Sequence, residues 1–307
     1  MISYFKGTKT TVLHEVDGFT QHCWVAVEDP HRKEIEALVG LGLDRNLLKD
    51  ALDENEVPRI EIKDEVTYIF SRIPYEYDGV IETIPVLFGF AEKFVFTLVK
   101  HNDILMPDIE EGEEEIFLST VESADFLIKM FAHVNSRFDS FLQKISRQVR
   151  ASSKNLNQIS NKDVLRFVVF EQTLNDFLSA LVPIRANLEK ILMDKNILSP
   201  NRHDFEFFHD LELEVSQLID ISRSSVRNII SLRDAYSTIL TNNLNRVIKA
   251  LTAFTVILTI PTMIASFYGM NVVLPFAENP NAFTFIALWT GAFVLVILII
   301  FAWRKWL

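Results

Sequence analysis

The chain has 307 residues, of which 49% are apolar and 23% charged, and its mean hydropathy is +0.18. Its 41 acidic side chains outnumber 30 basic ones, a net charge of −11, which argues against binding nucleic acid because phosphate contacts need a basic surface. A single cysteine, Cys23, excludes a disulfide framework and a cysteine-built zinc site. By length we expect about two domains.

The first 120 residues predict an acidic α/β domain. The N-terminus lacks the apolar core of a signal peptide, so we expect this domain in the cytosol. No glycine-rich phosphate loop is present. The acidic run at 108–115 predicts a solvated loop or helix start, with a cation-attracting surface as the alternative. Strands are predicted at 10–13, 23–27, 66–72, 81–88 and 94–99, and helices at 34–41 and 46–52.

The next part of the chain, residues 121–203, predicts a helical hairpin. Two long periodic segments, 121–154 and 163–196, are separated by a break near 155–161, and Pro183 is predicted to kink the second. A stalk helix is predicted to follow over 204–268, with Pro261 as its one internal breaker. At 1.5 Å per residue such a helix spans about 95 Å. This is more than one small domain buries, so we expect it to run from the cytosol into a membrane.

The apolar residues of the stalk repeat at steps of three and four, as in a coiled coil. Packing on the chain's own preceding helices explains part of this seam, and an oligomeric stalk is favoured for the rest. The seam consists of Phe208, Leu211, Val215 and Leu218, followed by Ile229, Leu232, Tyr236 and Ile239.

Two uncharged segments near the C-terminus, 250–268 and 283–303, are each long enough to cross a bilayer as a helix. The connecting loop, 269–282, contains no basic residue. The last 62 residues hold four basic side chains and one acidic one, which leaves a charge of −14 on residues 1–245. Basic residues stay on the cytoplasmic side, so Arg246 and Lys249 before the hairpin, and the tail 304–307 after it, predict cytoplasmic termini and an external loop.

A polar stripe marks one face of the first span. Hydroxyls bonding to their own helix or joining neighbouring helices are one explanation, and lining a pore built from several copies is the other. Neither span contains an ionisable residue, which argues against a proton-coupled pump or a membrane enzyme and favours passive movement of an ion that keeps its water. The stripe is formed by Asn245, Thr252, Thr255, Thr259, Thr262 and Ser266.

The first span ends in the sequence Tyr268-Gly269-Met270-Asn271. By itself a glycine followed by asparagine indicates only a helix end. At the outer end of the first of two C-terminal membrane helices, however, this motif resembles that of the CorA family of magnesium transport proteins. The acidic α/β domain, the stalk, the short outer loop and the basic tail agree, and the segment 53–59 (DENEVPR) resembles the family's N-terminal domain.

The resemblance implies a funnel-shaped homopentamer in the cell membrane, whose five stalk helices line a pore for Mg²⁺. Asn271 would form an outer ring that holds the hydrated ion through its waters, since Mg²⁺ loses water reluctantly. Gly269 would let the backbone turn inward, Met270 would pack against that turn, and Tyr268 precedes them. Further inward, the resemblance places a hydrophobic constriction at Ile248 and Leu251, and the pore wall at Thr255, Thr259 and Thr262.

The resemblance also implies that cytosolic Mg²⁺ closes the channel by bridging acids of neighbouring protomers. Asp210 matches a sensor position by its distance from the motif, and Glu206 and Glu214 share its helix face at steps of four. A solvated helix face is the alternative for Glu206 and Glu214. The opposing acid from the N-terminal domain is not assigned, and no organic cofactor is expected.

The chain departs from the common family pattern just after the motif. Val272 stands where many members have an aromatic residue, and the outer loop reads VVLPFAENPNA, with Glu278 either drawing cations to the mouth or merely solvated. Family relatives that move zinc differ mostly in this region, so a Zn²⁺, Co²⁺ or Ni²⁺ transporter is one alternative. A membrane-anchored acidic sensor or scaffold is the other, and no nucleophile or phosphate loop predicts an enzyme.

Overall fold

The computed structural model describes residues 1–102, 104, 116–153, 160–194, 197–198, 200–272, 274–275 and 279–304. The chain forms two compact units, Met1–Leu232 and Arg233–Leu307, and each is described by itself. The acidic run at 108–115, most of the break near 155–161, Glu278 in the outer loop and the last three residues of the basic tail lie outside the described residues.

The first unit contains a seven-stranded sheet with the strand order β2-β1-β3-β7-β6-β5-β4. Neighbouring strands are antiparallel except for β3 and β7, which run parallel and pair Trp24 with Val95. The strands are β1 (Ile2–Thr8), β2 (Thr11–Glu15), β3 (Cys23–Glu28), β4 (Ile60–Lys63), β5 (Val66–Tyr77), β6 (Val80–Ala91) and β7 (Phe94–Val99).

The longest pairing in the sheet is the hairpin of β5 and β6, twelve residues each. The two residues between them, Asp78 and Gly79, both have positive φ, 49° and 78°. Two central residues with positive φ form the tight turn whose twist matches that of paired strands. This local geometry sets the register of the hairpin, which pairs Tyr77 with Val80.

Side chains alternate between the two faces of the sheet, and helices cover both. On one face, Cys23 and Val25 belong to a buried core with the short helices α1 (Arg32–Gly40) and α2 (Arg45–Asp50). On the other face, the Trp24 ring lies edge-on to Phe126 of α3 (Ser123–Ser153), with their centroids 5.5 Å apart. Because both faces are covered, all six residues of β7 are buried, as expected for a central strand.

Helix α4 (Asn161–Met193) packs on the same sheet as α3 and continues past Pro183. Its Thr173 hydroxyl donates to the Ile81 carbonyl oxygen at 3.3 Å, and its Asn187 amide donates to the Phe70 carbonyl oxygen at 3.2 Å. These bonds satisfy strand carbonyls from within a buried interface. The C-terminal helices are α5 (Arg202–Tyr268), a single helix of 67 residues, and α6 (Ala282–Trp303).

By length and composition, three of the described helices could cross a membrane: α4, α5 and α6. In the apolar stretch of α4, 44% of the residues are buried inside the protein, against 6% for α5 and none for α6. Nearly half of the apolar stretch of α4 is therefore buried inside the first unit, whereas almost all of the apolar stretches of α5 and α6 is exposed. Exposed apolar surface of that extent is typical of membrane or subunit contacts.

The predicted fold class, an α/β domain with a long helix and two C-terminal apolar helices, is confirmed. Every predicted strand and helix is present, although β2 is shifted to Thr11–Glu15. Sequence patterns missed β1, whose side chains are mostly half-buried, and β4, which has only four residues. In the stalk seam, Phe208 and Val215 are fully buried within the first unit, so packing on the chain's own helices accounts for that half of the seam.

Candidate functional site

The motif Gly269-Met270-Asn271 occupies the first three positions beyond the end of α5. The Gly269 amide donates to the carbonyl oxygens of Ala265 and Ser266 at 3.0 and 3.2 Å, and the Met270 amide donates to that of Phe267 at 3.2 Å. The last turn of the helix therefore satisfies these two donors, and the exposed Asn271 follows directly. The Tyr268 hydroxyl donates to the Pro275 carbonyl oxygen at 3.3 Å, which ties the following loop to the helix end.

Gly269 has no positive φ in this structure, unlike Gly42 and Gly79. A Cβ added to it would lie 3.5 Å from the carbonyl oxygens of Ala265 and Ser266, an ordinary contact distance. The backbone of a single chain therefore does not require glycine at this position. A steric need for glycine at this position could arise only from another chain that packs closely against the backbone of Gly269.

Three hydroxyls of the polar stripe donate back to their own helix. The Thr255 hydroxyl lies 2.9 Å from the Leu251 carbonyl oxygen, that of Thr259 lies 2.7 Å from Thr255, and that of Thr262 lies 2.8 Å from Leu258. Each hydroxyl proton is thus committed to a backbone carbonyl. What each threonine still offers is the lone pairs of its oxygen, so the outward chemistry of these three residues is that of hydrogen-bond acceptors.

The rest of the stripe and the two apolar constriction residues are exposed in the single chain. Ile248 and Leu251 retain 51% and 66% of their surface. Residues three and four apart share one face of a helix, so the stripe is a continuous band along α5. Ile248 lies on the same face and is exposed, as are the six residues of the stripe: Asn245, Thr252, Thr255, Thr259, Thr262 and Ser266.

The three candidate sensor acids of α5 have different surroundings. Glu214 accepts a hydrogen bond of 3.1 Å from the side-chain amide of Asn135 on α3. Glu206 lies 4.0 Å from a ring nitrogen of His203 on its own helix. The exposed Asp210 makes no hydrogen bond or ion pair in the described part of the chain. Of the three, Asp210 is therefore the carboxylate that a cation can approach without breaking an existing contact.

Two arginines hold the segment 53–59, and the sequence pattern did not assign them this role. Arg72 donates to the carbonyl oxygens of Glu54 and Glu56 at 2.9 and 2.8 Å, and burial lowers the pKa of its guanidinium. Arg59 pairs with the carboxylate of Asp50 at 2.9 Å and stacks 4.1 Å from the ring centre of Phe70. Arg72 therefore orders the segment through its backbone, whereas Arg59, which belongs to the segment, anchors it through its own side chain. Only the folded sheet brings Arg72 to the segment.

No group of three or more His, Cys, Asp or Glu side chains is placed to hold a metal ion within the described residues. An acid with a disturbed pKa does occur beside the segment 53–59. The carboxyl of Asp176 on α4 has its pKa raised by burial and lowered by the nearby Arg72 guanidinium, with burial the larger effect. Glu82 raises that pKa further. Asp176, Glu82 and Arg72 line one cavity of about 560 Å³ beside this segment.

These features together define a class of protein: a sheet-based acidic domain joined by one long helix to apolar helices, with an amide-bearing turn between them. The family model for the CorA-like Mg²⁺ transporter protein matches residues 19–305. The chain belongs to the CorA family.

Individual relatives agree over nearly the whole length. The cobalt/magnesium transport protein CorA of Methanocaldococcus jannaschii is 24% identical over 297 residues, covering 92% of this chain and 91% of the relative. The protein of the same name from Thermotoga maritima is 23% identical, covering 100% of this chain and 90% of the relative. The complete structure of the M. jannaschii magnesium transporter matches with a TM-score of 0.84 at 20% identity, covering 100% and 99% of the two chains.

Proposed function

We propose that this protein is a passive Mg²⁺ channel, which lets hydrated Mg²⁺ enter the cytosol and which cytosolic Mg²⁺ closes. The observation that carries the proposal is the band of acceptor oxygens along α5 that ends at the exposed amide of Asn271. The names of the curated relatives, cobalt/magnesium transport proteins, support the same class of cargo.

The chemistry of the ion matches this band. Mg²⁺ holds its water shell tightly and dehydrates reluctantly, and the waters around a cation direct their hydrogens outward. A hydroxyl whose proton already bonds its own helix accepts such a hydrogen without competing as a donor. Thr255, Thr259 and Thr262 meet this requirement, and the amide oxygen of Asn271 supplies one further acceptor at the end of the helix.

An aqueous path needs several copies of the chain, since two apolar helices do not surround one. We infer the family's homopentamer, in which five α5 helices present the stripe to a common axis and five copies of Asn271 form a ring. Ile248 and Leu251 would then form an apolar constriction that closes by excluding water. The glycine at 269, which a single chain does not require, would allow a close approach at the ring.

Orientation and regulation follow from charge. Arg246, Lys249 and Arg304 flank the two apolar spans, and by the positive-inside rule we place both termini in the cytosol and the chain in the cell membrane. The membrane potential would then drive cations inward.

Asp210 would bind Mg²⁺ together with an acid of the next protomer, because divalent ions offset repulsion between domains that each carry a charge of about −14.

The test is ion uptake by proteoliposomes that contain the full-length protein, with Mg²⁺, Zn²⁺ and Co²⁺ offered separately. Asn271→Ala removes the ring amide and should abolish Mg²⁺ uptake. Asn279→Ala is the matched control, since Asn279 also lies after α5 but accepts a hydrogen bond from the Asn281 amide at 2.9 Å. Its uptake should stay close to that of the unmodified protein.

The outcomes separate the alternatives. Uptake of Zn²⁺ or Co²⁺ without Mg²⁺ would replace the proposed cargo by another divalent ion. No uptake of any ion by the unmodified protein, with the protein correctly inserted, would favour an acidic sensor or scaffold that the two spans merely anchor. Unchanged Mg²⁺ flux and selectivity in Asn271→Ala would contradict the ring.

A further inference from the structure

A polar pocket of about 520 Å³ lies between α3 and α5 within the first unit. Ile145 and Val149 of α3, both buried, contribute to its apolar floor. Its rim is polar and cationic, and we call it the arginine–serine pocket. The rim residues are Ser146 and Arg150 of α3, and Ser224, Ser225, Arg227 and Asn228 of α5.

The charge of this pocket is opposite to that of the protein. Acidic residues outnumber basic ones by 41 to 30 over the whole sequence, yet none of the described residues that line the pocket is acidic. Two arginines line it, Arg150 on one helix and Arg227 on the other. A concave surface that carries one sign of charge concentrates ligands of the opposite sign, so the pocket selects anions.

Four of the polar side chains that α5 contributes to the pocket have no partner among the described residues. In the part of the chain that the structure describes, the side chains of Ser224, Ser225, Arg227 and Asn228 make no hydrogen bond or ion pair. Elsewhere in the unit, Arg185 pairs with Glu189 and Arg45 with Glu36. On the α5 side of the arginine–serine pocket, Arg227 and three further donors are therefore free of the carboxylates that occupy other arginines.

We propose that the arginine–serine pocket binds the phosphate group of a phosphorylated small molecule. Guanidinium groups match the geometry of phosphate oxygens and bind them through paired hydrogen bonds, and serine hydroxyls donate to the oxygens that remain. The volume exceeds what one phosphate fills and is within the range of small-molecule sites. The apolar floor at Ile145 and Val149 suits an organic portion, so a nucleoside polyphosphate fits better than inorganic phosphate.

This inference does not rest on ion conduction and is tested by binding alone. Isothermal titration of the full-length protein in detergent, with EDTA present to remove divalent ions, would compare ATP, pyrophosphate and inorganic phosphate. We expect saturable binding with one site per chain, tightest for ATP and weakest for inorganic phosphate. Equal affinity for ATP and pyrophosphate would also support the site and would assign recognition to the phosphates alone.

The decisive variant is Arg227→Gln, which removes a guanidinium while keeping a polar side chain of similar length. Its affinity for ATP should fall about tenfold or more, because hydrogen bonds to charged groups are strong. Arg223→Gln is the matched control. Arg223 lies one turn earlier on α5, is equally exposed and does not line the pocket, so its affinity should change less than about twofold.

Two results would overturn the proposal. One is the absence of saturable binding of all three anions at millimolar concentration by a protein whose thermal unfolding is normal. The other is an equal loss of affinity in Arg223→Gln and Arg227→Gln, which would mean that anions respond to net charge and not to this pocket.

Discussion

At the scale of single residues, side chains of the same type differ in what they are free to do. Glu206, Asp210 and Glu214 follow one another at steps of four on α5, so their spacing places them on one helix face but says nothing about their separate contacts. In the folded protein Asn135 holds Glu214, whereas Asp210 has no partner among the described residues. A cation that binds Glu214 must compete with that hydrogen bond, which does not apply at Asp210.

Replacing Asp210 is therefore expected to affect regulation more than replacing either neighbour. In Asp210→Ala, we expect the channel to need several-fold higher internal Mg²⁺ for closure, because each protomer loses a free carboxylate at the proposed sensor. Proteoliposomes loaded with graded Mg²⁺ would measure this, with Glu206→Ala as the matched control. A larger shift in Glu206→Ala or Glu214→Ala than in Asp210→Ala would contradict the assignment.

Gly89 shows a second residue-scale constraint, at the centre of the sheet. It pairs with Phe96 across β6 and β7, and an added Cβ would lie 1.9 Å from Cε1 of that ring. The aromatic ring fills the space that a side chain would occupy. A residue larger than glycine forces the buried ring or the strand to move, and overpacking of this kind costs about 1–3 kcal/mol.

We expect Gly89→Ala to lower the stability of the protein by roughly that amount, about 1–3 kcal/mol. Thermal unfolding of the detergent-solubilised protein, followed by near-ultraviolet circular dichroism, would show a lower midpoint. Gly18→Ala is the control, because nothing lies within 4 Å of its Cβ position. An unchanged midpoint in Gly89→Ala would mean that the Phe96 ring moves aside at no cost.

At the scale of elements, α4 and α5 show how one composition serves two environments. Both contain a stretch apolar and long enough to cross a membrane. In α4, Thr173 and Asn187 bond to strand carbonyls, and one face of the helix is buried in the first unit. The threonines of α5 bond only within their own helix. Apolar content therefore does not distinguish a core helix from an exposed one, whereas the hydrogen-bond partners of its polar side chains do.

The threonine band of α5 leads to a prediction for the proposed channel. Thr259→Val keeps the shape of the side chain but removes the acceptor oxygen, so we expect Mg²⁺ flux to fall about tenfold, or about 1.4 kcal/mol in the barrier. Thr259→Ser keeps the acceptor and should retain most of the flux. Thr284→Val makes the same chemical change on α6 and should leave flux unchanged. Normal flux in Thr259→Val would exclude Thr259 from the path.

Strands illustrate what patterns along the chain capture. The buried strands β3, β5 and β7 carry dense apolar or alternating patterns and were predictable. Strand β4 is at an edge of the sheet and has only four residues, and β1, next to the edge strand β2, has mostly half-buried side chains. Both therefore have weaker apolar patterns, because fewer of their side chains are buried. Their place in the sheet depends on pairing with β3 and β5, which the local sequence does not specify.

At the scale of the whole molecule, the second unit exposes more apolar surface than a soluble monomer does. Residues of α6 such as Phe283, Trp289 and Trp303 are 77–85% exposed. A bilayer accounts for apolar side chains all round a helix, but it does not account for a polar band on α5. We propose that water or further copies of the chain lie beside that band.

We therefore expect the purified protein to assemble as a homopentamer. Native mass spectrometry from detergent should show a complex of five chains, and cross-links introduced by cysteine at position 255 or 262 should join chains to one another. The single natural cysteine, Cys23, is buried and is replaced by Ala in both the test and the background protein. A monomer by mass, without cross-links, would contradict the proposed pore.

The sequence alone determined the α/β class, the long helices, the two C-terminal apolar helices and the position of Gly269-Met270-Asn271 directly after α5. These follow from periodicity, composition and helix-end chemistry, which act between residues close in the chain. Tertiary structure decided that α4 is a core helix, that Arg72 orders the segment 53–59, that Glu214 is held by Asn135, and that Arg150 and Arg227 share a pocket. Each of these joins residues far apart in the chain, so their contacts are set by packing and not by local pattern.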